Sequence, residues 1–348
     1  MSADIRRFGT TSSGQEVRAV TLRADELTLR LLTLGATLQD LRLAGTPWPL
    51  ILGAESLRAY ETALPWCGAV VGPVANRLAQ GRITIAGELW QGLPNDGEHL
   101  LHSGAAGVSQ QIWEIEAATG SEVTFRLSLP HGAAALPGNR VIRAHYRIEP
   151  PATLALTLSA TSDAETLMNL AHHPYWTLDG RPDTRGHRLE VAASHYLPTD
   201  AENLPRAPVP VAGTGHDLRA PRLLSDLPPL DHNYCLDGDC LEGAGLRVAA
   251  RLTGASGVGL VLETDAPGLQ VYDGRAIGAV PVIGLTGAPY GPYAGLALEP
   301  QMWPDAPNHK DFPAITLAPG ALWRQETRLH LHRGAPEAAP AGAAARRA

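Results

Sequence analysis

The chain is poor in amines, thiols and long apolar runs, and each shortage removes a class of function. Only one of its 28 basic side chains is a lysine, Lys310. Chemistry that needs a buried amine, such as Schiff-base aldol cleavage or pyridoxal catalysis, therefore has almost no candidate. No Gly-x-x-x-x-Gly-Lys-Ser/Thr stretch occurs, so the usual phosphate-cradling loop is missing. The three cysteines, Cys67, Cys235 and Cys240, cannot all pair with one another, and their spacing fits neither a zinc ribbon nor a redox Cys-x-x-Cys. A reducing compartment is the simpler expectation. No segment approaches the roughly 18 apolar residues of a membrane span, and Met1-Ser2-Ala3-Asp4-Ile5-Arg6-Arg7 has no apolar run behind its charges. A soluble, cytoplasmic protein is expected. Nor is there a basic excess: 28 Lys and Arg face 35 Asp and Glu, for a net charge of -7. Nucleic acid and anionic membrane both demand a basic surface and are not expected partners.

What is present is alternation. Leu27, Leu29 and Leu31 are separated by Thr28 and Arg30; Val123, Phe125, Leu127 and Leu129 by Thr124, Arg126 and Ser128; Leu154, Leu156 and Leu158 by Thr153, Ala155 and Thr157. A period of two marks strands with one buried face. Further short runs fall at Leu246–Leu252, Leu260–Thr264 and Glu326–Leu331, and 36 glycines and 29 prolines interrupt any helix of ordinary length. The pattern predicts an all-β, antiparallel protein. Neither a composition break nor a fixed-period repeat is visible, so a single large many-stranded antiparallel β-sandwich over residues 1–333 is expected. The stretch Asn203–Pro229 lacks periodicity and reads as a long ordered excursion between strands, of the kind that often carries function. Residues 334–348 are nearly all Ala, Pro, Gly and Arg, with nothing to bury, and read as a disordered tail.

The densest chemical signal is Leu298-Glu299-Pro300-Gln301-Met302-Trp303-Pro304-Asp305-Ala306-Pro307-Asn308. It sets one carboxylate in a short buried strand led in by Gly295-Leu296-Ala297, followed by a rigid turn. Four other polar clusters stand out: Asn76-Arg77; Asn95-Asp96-Gly97 through His102; Asn169 through Trp176, with His172-His173-Pro174-Tyr175; and Asp231-His232-Asn233. Each sets polar groups beside aromatic ones or turns, as pockets for polyhydroxylated substrates do.

In their order along the chain these blocks resemble the aldose 1-epimerase (galactose mutarotase) family over nearly the whole length. The resemblance runs through Gly35-Ala36-Thr37, Asn76-Arg77-Leu78, Leu101-His102-Ser103-Gly104, Gly107 with Trp113, His173-Pro174-Tyr175-Trp176 and Tyr196-Leu197-Pro198-Thr199-Asp200. It continues through Asp231-His232-Asn233-Tyr234, Pro267-Gly268-Leu269-Gln270-Val271-Tyr272 and the Glu299 segment. It implies a galactose mutarotase-like supersandwich with a cleft, no metal and no cofactor, in a monomer or homodimer that interconverts the α and β anomers of a free monosaccharide. By resemblance Glu299 is the base and His173 the acid, with roles exchanged on the return path. Arg77, His102 and Asp231 hold the sugar, and Asn76 and Gln270 are candidates for the same task. Ordinary side-chain acidities would set an ionised Glu299 against a His173 protonated with the help of Asp231. The chain departs from the family at Pro73, Ser103 and His172, all beside proposed pocket residues, which bears on substrate identity.

Structural readings compete at several positions. His99, His172, His232 and His309 read as structural. Asp231 could cap a turn with Asn233, and Glu299 could be a buried partner for an arginine. His99 with His102, or His172 with His173, could suggest a metal, but adjacent strand residues point to opposite faces and no third ligand set is spaced for it. Trp176 and Trp303 are the expected aromatic pocket walls. Competing functions are an idle sugar-binding sandwich, an epimerase acting on a sugar phosphate, and glycoside hydrolysis or lyase chemistry using Asp231 with Glu299 as paired carboxylates.

Overall fold

The computed structural model describes residues 3–238 and 245–334, so Cys240 and all but the first residue of the expected tail lie outside the described residues. The architecture is the expected large antiparallel β-sandwich. Its largest sheet has nine strands in the spatial order Glu114–Ala118, Glu122–Leu129, Arg140–Glu149, Thr153–Ser162, Leu322–Arg333, Val258–Thr264, Arg247–Thr253, Arg188–Val191 and Arg222–Leu223. A six-stranded sheet runs Tyr175–Trp176, Leu296–Gln301, Gly268–Tyr272, Asp231–Cys235, His195–Leu197 and Val209–Pro210. A four-stranded sheet is built from Asp4–Thr10, Glu16–Ala24, Leu27–Leu32 and Thr37–Leu43. Among the described residues the α-helix is a single short piece, Leu57–Glu61, and no helix is long and apolar enough to cross a membrane.

The alternating residues do what their period requires. Val123, Phe125, Leu127 and Leu129 are buried while the residues between them are not, and Leu27, Leu29 and Leu31 are buried likewise. One apolar cluster joins the three sheets, taking Leu22 and Leu29 from the four-stranded sheet, Phe125, Leu156 and Leu260 from the nine-stranded one, and Tyr234, Leu269 and Leu298 from the six-stranded one. Burial of this shared face removes the strands' apolar sides from water at roughly 25 cal/mol per Å², and leaves the opposite face of the six-stranded sheet free to carry polar groups.

The excursion Asn203–Pro229 is more regular than its sequence suggests. Val209–Pro210 pairs with His195–Leu197, and Arg222–Leu223 pairs with Arg188–Val191, so two-residue strands stitch it to both large sheets. Pieces this short carry no periodicity to read.

Candidate active site

The site is built on the polar face of the six-stranded sheet, and its register explains the membership. Gln270 lies opposite Glu299 on one side and Asn233 on the other. Tyr272 lies opposite Ala297 and Asp231, and Ala297 opposite Tyr175. Directly opposed residues share a face, as do residues two apart on one strand. Asp231, Gln270, Tyr272, Glu299 and Tyr175 therefore project together. Leu296 and Leu298 of the Glu299 strand point the other way into the core, which pins the strand and fixes the carboxylate's direction.

Two loops close over this face. Asn76, His102 and Ser103 all have left-handed backbones, with φ of 61°, 52° and 61°. Asparagine tolerates that conformation; for His102 and Ser103 the surroundings must hold it. They do so with bonds between the loops: Asn76 N donates to His102 Nδ1 at 3.1 Å, His102 N donates to Asn76 O at 3.0 Å, and Val74 N donates to Ser103 Oγ at 3.0 Å. Gly107 passes so close behind that a Cβ there would lie 2.4 Å from His102 O. Ser103 thus has a fastening role, and His172 faces away from the site, its ring against Tyr146.

The turn after Glu299 is fastened to the same loops through Asp305. Its Oδ1 accepts from Ala79 N at 2.9 Å and from Asn308 Nδ2 at 2.6 Å, its Oδ2 lies 3.4 Å from His309 Nε2, and its own N–H donates to Arg77 O at 3.1 Å. Replacing Asp305 with Ala removes the acceptor of the half-buried Ala79 N–H and of the Asn308 amide, at about 0.5–1.5 kcal/mol per bond. The expected result is a lower Tm together with weakened sugar binding, because the segment that carries Arg77 loses its anchor at Ala79 and keeps only the backbone bond to Arg77 O. Thermal unfolding and the KM of the variant measure the two effects, and an unchanged Tm would contradict the fastening role.

Asn76, Arg77, His102, His173, Asp231, Gln270 and Glu299 all line one cavity of about 390 Å³. At its floor His173 Nε2 is 3.5 Å from Glu299 Oε1, both side chains being almost wholly buried. The partner of Glu299 is thus an imidazole and not an arginine. The imidazole edge of His102 packs beside His173, with ring centroids 5.5 Å apart. On the wall, Gln270 Nε2 donates to Asp231 Oδ1 at 2.7 Å, and Arg77 Nε donates to Asp96 Oδ2 at 2.7 Å.

Burial shifts both groups away from their ordinary acidities. It raises the Glu299 pKa well above the ordinary carboxylate value, and the negative charge of Asp231 raises it further. Burial also pushes His173 down to about 4, opposed only by its own backbone. Both shifts act against the charged forms, favouring a neutral carboxyl group and a neutral imidazole, and the charge of Asp231 adds to the shift of Glu299. Charging either group costs solvation that neutral partners do not demand.

His102, His173 and Glu299 could each present one ligand atom, all within 4.8 Å of one another. The ring of His102 argues against a cation there. Its Nδ1 accepts the Asn76 N–H, which assigns the proton of the neutral ring to Nε2. A metal would have to displace that proton, so the nitrogen serves a ligand as a donor.

The expected tryptophan walls are elsewhere. Trp176 is fully buried in the core, and Trp303 packs its ring on Phe312 while its Nε1 donates to Pro267 O at 3.2 Å. The aromatic walls are Trp66, Tyr175 and Tyr272, with Asn203 and Arg275 also lining the cavity. Trp66 sits 5.1 Å from the His102 ring, and Tyr175 4.9 Å from the His173 ring. Parity was the available signal for Tyr175, two residues from His173. For Trp66 and Arg275 there was none. The remaining histidines have structural partners: His99 Nδ1 accepts from Gln80 N at 3.1 Å, and His232 Nδ1 accepts from Asp231 N at 3.2 Å.

The sequence pattern of the aldose 1-epimerase family matches residues 18–330. The chain is 33% identical over 317 residues to the aldose 1-epimerase of Escherichia coli strain K12, covering 86% of this chain and 90% of that protein. It is 33% identical over 329 residues to the galactose mutarotase of Mus musculus, covering 91% and 94%. The fold matches the crystal structure of an aldose epimerase homologue from C. elegans with a TM-score of 0.84 at 28% identity, covering 91% of this chain and 100% of that one.

Proposed function

The chain belongs to the aldose 1-epimerase family, and we propose that Glu299 and His173 perform the proton transfers of that reaction on a free aldohexose. It is an isomerase that interconverts the anomers of aldoses. The observation that carries the residue assignment is the 3.5 Å separation of His173 Nε2 and Glu299 Oε1 in a cavity lined by Arg77, Asp231, Gln270 and other polar side chains. The two reacting oxygens of an aldopyranose, the anomeric hydroxyl and the ring oxygen, share one carbon. Acid and base must then stand side by side, as these do.

Ring opening takes the proton from the anomeric hydroxyl onto Glu299 while His173 protonates the ring oxygen. The C1 to ring-oxygen bond breaks, the aldehyde turns about its bond to C2, and closure reverses both transfers. After opening, the carboxyl is neutral and the imidazole neutral, which is the arrangement burial favours. Binding must therefore relocate one proton. Glu299 lines the cavity, so a sugar hydroxyl donating to its carboxylate would stabilise the charged form and send the proton to His173.

The pair works with one proton, which fixes the pH profile. Below about pH 4 the imidazole also becomes charged while the carboxyl stays neutral, and the base is lost. Above the raised pKa of Glu299 the single proton departs, and the acid is lost. The expected kcat/KM has its acid limb near 4 and its alkaline limb above the ordinary carboxylate range. Polarimetry corrected for uncatalysed mutarotation measures it, and an acid limb near 6.5 would contradict this proton inventory.

A free sugar is favoured over a sugar phosphate because each cavity arginine already faces carboxylates: Arg77 faces Asp96 and Asp231, and Arg275 faces Asp273 and Asp231. The direct test is anomer exchange of freshly dissolved α-galactose and α-glucose by polarimetry or NMR. Acceleration of neither sugar, with release of reducing sugar from a glycoside instead, would favour hydrolysis. We also read residues 1–333 as one domain, supported by the buried cluster from Val20 to Leu331. A cytoplasmic location is supported by the buried free thiol of Cys67.

A further inference from the structure

Asp231 Oδ2 stands between two guanidinium groups without bonding either. Arg77 NH1 and Arg275 NH2 are each 4.0 Å from it, beyond hydrogen-bond range. The other oxygen, Oδ1, is already taken by Gln270 at 2.7 Å. Each arginine is also held from outside by a carboxylate of its own. Arg77 Nε donates to Asp96 Oδ2 at 2.7 Å, and Arg275 NH1 lies 3.6 Å from Asp273 Oδ2 with its guanidinium over the Tyr272 ring at 5.8 Å. The result is one carboxylate oxygen with open lone pairs, flanked by donors on both sides and facing the cavity.

We propose that Arg275 is a specificity-determining residue that, with Asp231 and Arg77, clamps two neighbouring hydroxyls of the sugar at a distance from C1. Asp231 Oδ2 accepts from both hydroxyls, Arg77 donates to the oxygen of one, and Arg275 donates to the oxygen of the other. This deepens the epimerase reading and rests on it. Neutral hydroxyls suit the charge balance. The cluster counts three carboxylates, Asp96, Asp231 and Asp273, against two guanidiniums, so a phosphate or carboxylate would meet a net negative wall. A planar fork also matches two donors to one oxygen better than an ammonium can.

The loop that carries Arg275 does not need its guanidinium. Arg275 N donates to Asp273 Oδ1 at 3.1 Å and Ala276 N donates to Tyr272 Oη at 2.9 Å, and both bonds survive replacement of Arg275 with Ala.

The experiment compares kcat/KM of wild type, Arg275→Ala and Arg275→Lys on galactose and on its 3-deoxy, 4-deoxy and 6-deoxy analogues. In the wild type, loss of the hydroxyl that Arg275 holds should lower kcat/KM by about tenfold to a hundredfold. In Arg275→Ala that one penalty should shrink several-fold, Asp231 still accepting from the hydroxyl, while the penalties at the other positions persist, and Arg275→Lys should fall between. A uniform loss on every sugar, or penalties identical in all three proteins, overturns the clamp. Wild-type turnover of galactose is the control for the underlying reading. If it fails, the epimerase assignment fails and the clamp with it; if it succeeds and the penalties do not move, the clamp alone is wrong.

Discussion

Glu299→Gln is expected to lower kcat by about a hundredfold to ten-thousandfold while leaving the fold at least as stable as the wild type. The amide keeps the shape of the carboxyl group and can still hydrogen-bond, but it cannot take a proton from the anomeric hydroxyl. The stability half follows from where the carboxyl sits. It is 2% exposed, its Oε2 has no protein partner, and burial and Asp231 both raise its pKa well above 4.5. A raised carboxyl pKa favours folding fully below the unfolded value near 4.5 and loses that advantage as pH rises towards the folded value. The wild type should therefore lose stability relative to Glu299→Gln as pH climbs above about 4.5 towards the raised folded value, with little difference at lower pH. Thermal unfolding at several pH values measures this, and single-turnover anomer exchange measures the chemical step. A variant that is both fully active and unchanged in stability would refute the assignment of Glu299 as the base. A variant that is inactive but markedly less stable would point to a structural carboxylate.

How much of this was legible in the sequence depended on whether the information was local. The buried strand with a carboxylate facing away from its leucines could be read from Leu296-Ala297-Leu298-Glu299, because period two fixes sidedness without tertiary knowledge. Seven proposed site residues fall on one cavity because their blocks carried a family resemblance, which encodes tertiary neighbourhood indirectly. Trp176 and Trp303 were misjudged for a simple reason. Nearness along the chain is not nearness in space: a strand sends Trp176 to the face opposite Tyr175, and the turn after Gln301 carries Trp303 away. Trp66, Asn203 and Arg275 reach the cavity from segments whose approach only packing determines. Reference acidities describe solvated groups, and the depth of burial that shifts Glu299 up and His173 down is a property of the fold.

His173→Asn should produce a loss comparable to that of Glu299→Gln, again about a hundredfold to ten-thousandfold in kcat, because asparagine can occupy part of the ring's volume but cannot deliver a proton to the ring oxygen. Since the two residues share one proton and act on one carbon, their effects should not multiply. The double variant should fall no more than about tenfold below the weaker single variant, as expected of groups that function as a unit. A full product of the two losses would mean that each acts independently, contrary to the 3.5 Å contact. The acid limb near pH 4 should also disappear from the residual activity of His173→Asn, since that limb reports charging of the imidazole. A further signature lies in His102, whose pKa is depressed first by burial and next by the neighbouring His173. Removing His173 should move the His102 titration upward, observable by NMR even where no turnover can be detected. A His102 titration that stays put would mean the two rings do not sense each other, and the shared polar floor of the cavity would then have to be redrawn around Glu299 alone.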